Sequence, residues 1–197
     1  MGLSTDKDLV NTILSGGIAV IPTDTLYGIV VRANNEEAIE RLCALRGREI
    51  RKPCIILVED AEAIDQLYLH IPMWAQTLMQ RVWPGPLSLV FDATIATPDY
   101  LHRGRETLAV RVPANDDLRK LLHKTGPLLA PSANPAGLPT ATTVAWAQQY
   151  FRESVDYYFD RGYVGGQPST VAKVTEKGLV LVREGSMPIE NLREYLG

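Results

Sequence analysis

Short apolar stretches rich in β-branched residues alternate with amphipathic helical patterns along the whole chain. The apolar stretches have strand length, and a helical pattern lies between most of them. This alternation is typical of α/β proteins and not of chains whose strands and helices lie in separate halves. The predicted strands are 18–21, 54–58, 87–91, 107–112, 127–130, 155–159, 169–174 and 179–183. We predict a twisted mixed sheet of about eight strands with six or seven flanking helices.

Capping residues and glycines mark the predicted helix boundaries. The first helix begins after Thr5 and ends at the glycine pair 16–17. The second is capped by Asn35, whose side chain can accept from the first turn, and is ended by Gly47. Asn115 caps a later helix in the same way. Further helical segments are expected after positions 60, 72, 142 and 188, with a turn at the Trp-Pro-Gly-Pro sequence 83–86.

The composition limits the kinds of protein that this chain can form. The 197 residues, 46% of them hydrophobic, suit one globular domain, which we predict to cover 1–197. The formal charge of -3 argues against nucleic-acid or membrane binding by bulk charge. Two cysteines cannot form a disulfide framework, and neither a signal peptide nor a membrane-spanning segment is evident. These features favour a cytoplasmic protein that does not bind membranes.

The sequence Pro-Thr-Asp-Thr-Leu-Tyr-Gly at 22–28 follows the first predicted strand directly. In α/β sheets, the loops after strands commonly hold ligands. Two hydroxyls, a carboxylate and a phenol could orient a small polar substrate. The same residues are also common in turns, where they only cap backbone groups. Both interpretations stay open at this point.

A basic segment at 46–53 contains four cations and one anion. Arginine side chains bind phosphate oxygens in pairs, so several together could hold a triphosphate. Cations at the end of a helix also complement its dipole and need no ligand. The segment is therefore a candidate nucleotide site and not an assignment.

Two further features suggest a binding site. Small polar residues follow an apolar stretch at 130–137, and Arg111 lies inside the otherwise apolar strand 107–112. An arginine in such a strand needs an edge, a partner carboxylate or a ligand. The sequence contains no standard nucleotide-binding, metalloprotease or serine-hydrolase motif, and its three histidines have no metal-site or triad spacing. Transfer at a phosphorus centre would need neither a catalytic triad nor a histidine base, because positioning and charge neutralisation provide most of its catalysis.

Taken together and in this order, these segments resemble the YrdC/TsaC family of L-threonylcarbamoyladenylate synthases. The likeness extends over nearly the whole chain. Because the chain ends soon after Arg183, we expect the single-domain form of the family. The matching segments are 22–28, 46–53, 83–86, 109–113, 131–134, 166–171 and 182–185. The resemblance implies a YrdC-like fold with an open basic concave face.

The resemblance also implies a reaction and a set of site residues. L-threonine, bicarbonate and ATP with Mg2+ would yield threonylcarbamoyl-AMP and pyrophosphate, the first step of t6A modification at tRNA position 37. A tRNA-modifying threonylcarbamoyl transferase would then take the product, and no protein cage for Mg2+ is expected. The implied threonine-binding residues are Thr25, Arg111, Ser132 and Ser169. The implied ATP-binding residues are Arg48, Lys52, Thr107, Asn134, Thr142 and Arg183, and the implied catalytic residues are Arg46, Arg48, Ser132 and Asn134.

The sequence departs from the family pattern near the basic segment. Arg46 stands where most members have lysine, and Glu49 stands where a proline is common. These changes bear on ATP binding and leave room for a carbamoyl-transfer paralogue. A non-catalytic module for double-stranded RNA or tRNA is the other alternative. It would use the cations at 41–52 and 103–111, but these lack interleaved aromatic residues.

Overall fold

The computed structural model describes residues 2–47 and 54–196, and ten strands in this part form a mixed sheet. The strands are β1 (Ala19–Pro22), β2 (Tyr27–Arg32), β3 (Ile55–Leu57), β4 (Leu69–His70), β5 (Leu87–Ala93), β6 (Thr107–Arg111), β7 (Leu128–Leu129), β8 (Tyr157–Tyr158), β9 (Thr170–Thr175) and β10 (Gly178–Arg183). Their order is β10-β9-β5-β6-β3-β7-β2-β1-β8, and β4 pairs with β5. The pairs β1–β8, β3–β6 and β5–β9 are parallel, and the other pairs are antiparallel. The predicted mixed sheet is confirmed.

Six α-helices accompany the sheet in the described ranges. They are α1 (Lys7–Leu14), α2 (Glu36–Leu45), α3 (Met73–Val82), α4 (Asp99–His102), α5 (Asp116–Thr125) and α6 (Val144–Phe151). The side chains of Asn35 and Asn115 cap α2 and α5, as predicted. Asp6 caps α1 and Thr143 caps α6, each one residue after the predicted start. No helix within these ranges has the length and hydropathy that spanning a bilayer requires.

Helices pack on both faces of the sheet. Leu9 and Ile13 of α1 and Leu118 of α5 pack against one face, together with Ala19 and Leu57. On the opposite face, α2, α3 and α6 bury their apolar sides in a larger core. The burial removes most of the apolar area of these helices from water, which is the main favourable contribution to folding.

A third, smaller cluster lies beside the α1–α5 layer. It consists of Val90, Ala109 and Val171, and Ile55 packs against both this cluster and the α1–α5 core. Side chains alternate along strands, so these residues share the sheet face that α1 and α5 cover elsewhere. This part of the face, formed by β9, β5, β6 and β3, provides the floor of the site described below.

The structure corrects several predicted elements. β2 was not predicted, because its first residues, Tyr27 and Gly28, belong to the motif at 22–28, which the sequence indicated as a loop after β1. The segments after 60 and 188 form 3-10 helices, Glu62–Leu67 and Ile189–Tyr195, and not α-helices. The short elements β4 and α4 were also not predicted, since two to four residues show no period.

Candidate functional site

A cavity of about 1070 Å³ opens on the uncovered part of the sheet face. Ile55, Ala109 and Val171 line its floor. The four predicted threonine-binding residues, Thr25, Arg111, Ser132 and Ser169, all line it. So do Arg46, Asn134, Thr142 and Arg183 from the other predicted sets. Segments far apart in the sequence therefore meet at one cavity.

The motif at 22–28 forms a tight hairpin between β1 and β2, in which Pro22 pairs with Tyr27. The Thr23 hydroxyl organises the turn: it donates to the Leu26 carbonyl at 2.7 Å and accepts from the Thr25 and Leu26 backbone amides at 3.1 Å. The Thr25 hydroxyl lies 3.1 Å from that of Thr23 and lines the cavity. Both threonines line the cavity, but the Thr23 hydroxyl is engaged by the turn, whereas the Thr25 hydroxyl contacts only Thr23 among the described residues and can also bind a ligand.

Arg111 is buried at the end of β6, where it pairs with Asp24. Its Nη1 donates to both carboxylate oxygens at 2.7 Å, and the Ala114 amide donates to Oδ2 at 3.0 Å. The Arg111 and Asp24 side chains are 4% and 10% exposed. A lone charge in this position would be costly, so the pair compensates the guanidinium within the chain.

The pairing leaves one edge of the Arg111 guanidinium uncommitted. Among the described residues, Asp24 contacts only Nη1, and the buried Nε has no hydrogen-bond partner. Nε and Nη2 together form the fork that binds carboxylates through two parallel bonds. A buried donor without a protein partner needs another explanation, and an anionic ligand is one that a cavity beside it could supply. The fork is therefore positioned for a carboxylate in the cavity.

The motif Pro-Ser-Ala-Asn lies next to the hairpin, since Ser132 bridges to Gly28 across an antiparallel contact. The Ser132 hydroxyl donates to Asn134 Oδ1 at 2.6 Å, and Asn134 Nδ2 donates to the Pro135 and Leu138 carbonyls. The Asn134 carbonyl accepts from Nε of buried Arg46 at 3.0 Å. Asn134 thus holds two other lining residues in place: its backbone carbonyl accepts from Arg46, and its side-chain oxygen accepts from Ser132.

Ser169 and Arg183 form the opposite wall. Arg183 Nη2 donates to the Ser169 carbonyl at 2.8 Å, and both residues line the cavity. Desolvation lowers the pKa of Arg183 below its ordinary value, but a guanidinium remains charged at neutral pH. The Thr142 carbonyl accepts from the Val164 amide at 2.8 Å. This bond joins the glycine-rich segment 162–166 to the lining residue Thr142.

The charged side chains that line the cavity are all cationic among the described residues: Arg46, Arg111 and Arg183. The same lining contains no carboxylate or imidazole, and no group of three metal-ligating side chains occurs in the described ranges. The cavity therefore suits an anionic ligand. A divalent cation would fit here through the oxygens of a bound polyphosphate, because Mg2+ is commonly held that way.

Three predicted residues are not among the described residues that line the cavity. Arg48 and Lys52 lie outside the described residues. Thr107 is on the same face of β6 as Ala109 and Arg111, but it lies opposite Asp92 and does not line the cavity. Its role in ATP binding stays a prediction.

Asp24 was not predicted as the partner of Arg111. Thr140 was not predicted either; it lines the cavity, and its hydroxyl donates to Asn134 Oδ1 at 3.2 Å. A third unpredicted residue is Ser88, a buried serine in the apolar strand β5. The signal for Ser88 was the same as for Arg111, a polar residue in an otherwise apolar strand.

Comparisons with known proteins show which family the chain resembles. A family model named Sua5/YciO/YrdC, described as telomere recombination, matches residues 11–185. A threonylcarbamoyl-AMP synthase of Pyrococcus abyssi is 35% identical over 94% of this chain and 55% of that protein. A putative threonylcarbamoyl-AMP synthase of Methanocaldococcus jannaschii is 32% identical over 93% of this chain and 87% of that protein.

Among solved structures, P. abyssi Sua5 complexed with L-threonine has a TM-score of 0.87 at 34% identity. The match covers 95% of this chain and 56% of that one, so the chain spans a little over half the length of this relative. The fold, the order of the motifs and the match over residues 11–185 agree, and the chain belongs to the Sua5/YciO/YrdC family.

Proposed function

We propose that this protein is a threonylcarbamoyl-AMP synthase, a nucleotidyltransferase that joins L-threonine, bicarbonate and ATP. The observation that carries the proposal is the uncommitted Nε–Nη2 edge of Arg111 in the cavity wall. It suits the α-carboxylate of an amino acid. The names of the relatives and the threonine complex of the Sua5 structure support the same choice of substrate.

In the proposed reaction, the protonated threonine amine and bicarbonate first combine. A carbon–nitrogen bond forms, water and one proton leave, and a carbamate results. A carbamate oxygen then attacks the α-phosphorus of ATP. The bond from the α-phosphorus to the bridging oxygen breaks, and pyrophosphate leaves with that electron pair. Each step conserves atoms and charge.

The residues of this chain contribute mainly by binding and charge neutralisation. Arg111 and the hydroxyls of Thr25, Ser132 and Ser169 would hold threonine near the floor. Arg46 and Arg183 would hold the phosphates, with Arg48 and Lys52 as further candidates, and Asn134 would keep Arg46 in place. Mg2+ bound to the phosphates would offset the charge that develops on pyrophosphate. Holding the reactants together removes an entropic barrier that free solutes would face.

We also propose the cytoplasm as the site of the reaction and a tRNA-modifying threonylcarbamoyl transferase as the consumer of the product. Both cysteines are free thiols in the structure, which suits a reducing compartment. A mixed carbamic–phosphoric anhydride is reactive toward water, so a transferase that accepts it directly fits its chemistry.

The proposal is tested by incubating the purified protein with ATP, Mg2+, L-threonine and bicarbonate and omitting one substrate at a time. The adenylate is detected by mass spectrometry and pyrophosphate by a coupled assay. Arg111→Lys keeps the charge that pairs with Asp24 but removes the fork, so we expect KM for threonine to rise about 10- to 100-fold. Arg81→Lys is the control, because Arg81 forms an exposed pair with Glu194.

Product that forms without threonine or bicarbonate would contradict the proposal, as would an unchanged KM in folded Arg111→Lys. RNA binding with a steep salt dependence and no ATP turnover would favour the RNA-binding alternative.

A further inference from the structure

Ser88 is a polar residue in the middle of an apolar strand. It lies in β5 between Leu87 and Leu89 and is fully buried. Its hydroxyl has one hydrogen-bond partner among the described residues, the Ser169 hydroxyl, at 2.9 Å. A buried hydroxyl is costly unless it is hydrogen-bonded, so the contact with Ser169 accounts for its tolerance in the strand.

Either hydroxyl could donate, but the surroundings of the two residues favour one direction. Ser88 has no exposed surface, and the oxygen of Ser169 is the acceptor available to its proton within the described structure. Ser169 is also buried, with 3% of its surface exposed, but it lines the cavity, so a ligand there could accept its proton. Both protons have acceptors only when Ser88 donates to Ser169 and Ser169 donates into the cavity.

The sheet register places the Ser169 hydroxyl and Arg111 on the same face of the sheet. Leu89 pairs with Val110 in the antiparallel ladder of β5 and β6, so Ser88 lies opposite Arg111. Ser88 also pairs with Val171 of β9, two residues after Ser169. Ser88 therefore lies between the Ser169 hydroxyl and the Arg111 guanidinium on adjacent strands. Two hydrogen-bond donors, the neutral Ser169 hydroxyl and the cationic Arg111 guanidinium, therefore lie on either side of Ser88.

We propose that Ser88 is a positioning residue that turns the Ser169 hydroxyl into a donor for a carboxylate oxygen of the amino acid substrate. Ser88 touches no substrate itself and acts through Ser169. The inference rests on the proposed function, since it assumes an amino acid whose carboxylate lies at the Arg111 fork. We expect Ser88 to affect binding of the amino acid and not of ATP. Arg183, a candidate ligand of the phosphates, is held by the Ser169 carbonyl, which the Ser88 side chain does not contact.

The test compares the steady-state kinetics of Ser88→Ala with those of the wild-type protein. We expect KM for L-threonine to rise about fivefold, the equivalent of one hydrogen bond, while KM for ATP and kcat stay within about twofold. Ser88→Thr restores the hydroxyl and should restore KM. Where Ser88→Thr does not fold, Ser88→Cys takes its place, with partial restoration expected from the weaker S–H donor.

Thr170→Val is the matched control. It removes another buried hydroxyl, one residue from Ser169, that bonds the Met187 backbone on the opposite face of the sheet. It should lower the melting temperature and leave KM for threonine unchanged. A second readout is the combination with Ser169→Ala, in which Ser88→Ala should have no further effect on KM.

An unchanged KM in folded Ser88→Ala, an equal rise in Thr170→Val, or additive effects in the Ser169→Ala background would each overturn the assignment. These results are distinct from failure of the proposed function. In that case, the wild-type protein itself would form no adenylate and would show no binding of L-threonine by calorimetry.

Discussion

The ion pair between Asp24 and Arg111 leads to a quantitative prediction for Asp24→Asn. The pair has side-chain exposures of 10% and 4%, and three hydrogen bonds end on the Asp24 carboxylate. Removing one member of a buried pair costs about 3–5 kcal/mol, because the remaining charge loses its compensation. The new amide keeps one oxygen, which can accept from Arg111 or from Ala114. We therefore expect a loss at the lower end, about 3 kcal/mol.

Urea denaturation followed by circular dichroism measures this loss as a fall in the free energy of unfolding. For a chain of this size, about 3 kcal/mol corresponds to a fall of roughly 6–12 °C in melting temperature. The matched control is Glu194→Gln, which removes the carboxylate of an exposed pair with Arg81, where both side chains are at least 60% exposed. Exposed pairs contribute about 0–1 kcal/mol, so the control should differ little from the wild-type protein.

A double-mutant cycle tests whether the loss comes from the pair itself. Arg111→Met should also destabilise the protein, because it leaves the Asp24 carboxylate without its cation. The double variant removes both charges, so it should be more stable than the sum of the two single losses predicts, by about 2–3 kcal/mol. Strictly additive losses, or a loss below about 0.5 kcal/mol in Asp24→Asn, would refute the reasoning.

Three further predictions concern groups around the fold. Burial by itself raises the pKa of Asp117, but hydrogen bonds from the Ser4 hydroxyl and from the Ser4 and Leu3 amides together lower it. The stabilisation is present above the ordinary pKa and is lost as pH falls through the lowered one. Asp117→Asn should thus lose about 1 kcal/mol in urea unfolding at pH 7 and less below about pH 4, and a gap that persists at pH 2 would contradict this. Tyr27→Phe removes the bond to the Gly162 carbonyl at 2.9 Å and should speed amide exchange in the adjoining glycine-rich segment, whereas unchanged exchange would show that the bond is not a tether. A Cβ at Gly185 would lie 2.2 Å from the Pro168 carbonyl oxygen, so Gly185→Ala should weaken both stability and threonine binding, and normal values of both would count against the close approach.

Local chemistry in the sequence was sufficient to predict much of the fold. Asn35 and Asn115 cap their helices as predicted, because an N-cap depends on one side chain and the amides of the next turn. The strands near Leu87 and Thr107 were predicted because each is a short, mainly apolar run of strand length. β2 was missed although Ile29, Val30 and Val31 form a buried β-branched run, because its first residues belong to the motif at 22–28. The pairing of β2 with β1 and β7 is set by the tertiary fold.

The candidate site divides in the same way. The sequence singled out Thr25, Arg111, Ser132 and Ser169, and the structure brings all four to one cavity. The residues that support them, Asp24 and Ser88, were not predicted. Asp24 is 87 positions from Arg111, and Ser88 is 81 positions from Ser169. No local pattern reports a contact over such distances, because it forms only when strands align.

By itself, the sequence determined the α/β class, the helix caps and the motifs that place this chain in its family, because these depend on neighbouring residues. The tertiary structure alone decided the strand order, the face of the sheet that stays open and the hydrogen-bond partners of Arg111 and Ser169. These depend on the register between β9, β5 and β6, which aligns side chains that the sequence keeps far apart. A one-residue shift between β5 and β6 would place Ser88 and Arg111 on opposite faces of the sheet, so the site exists only in this pairing.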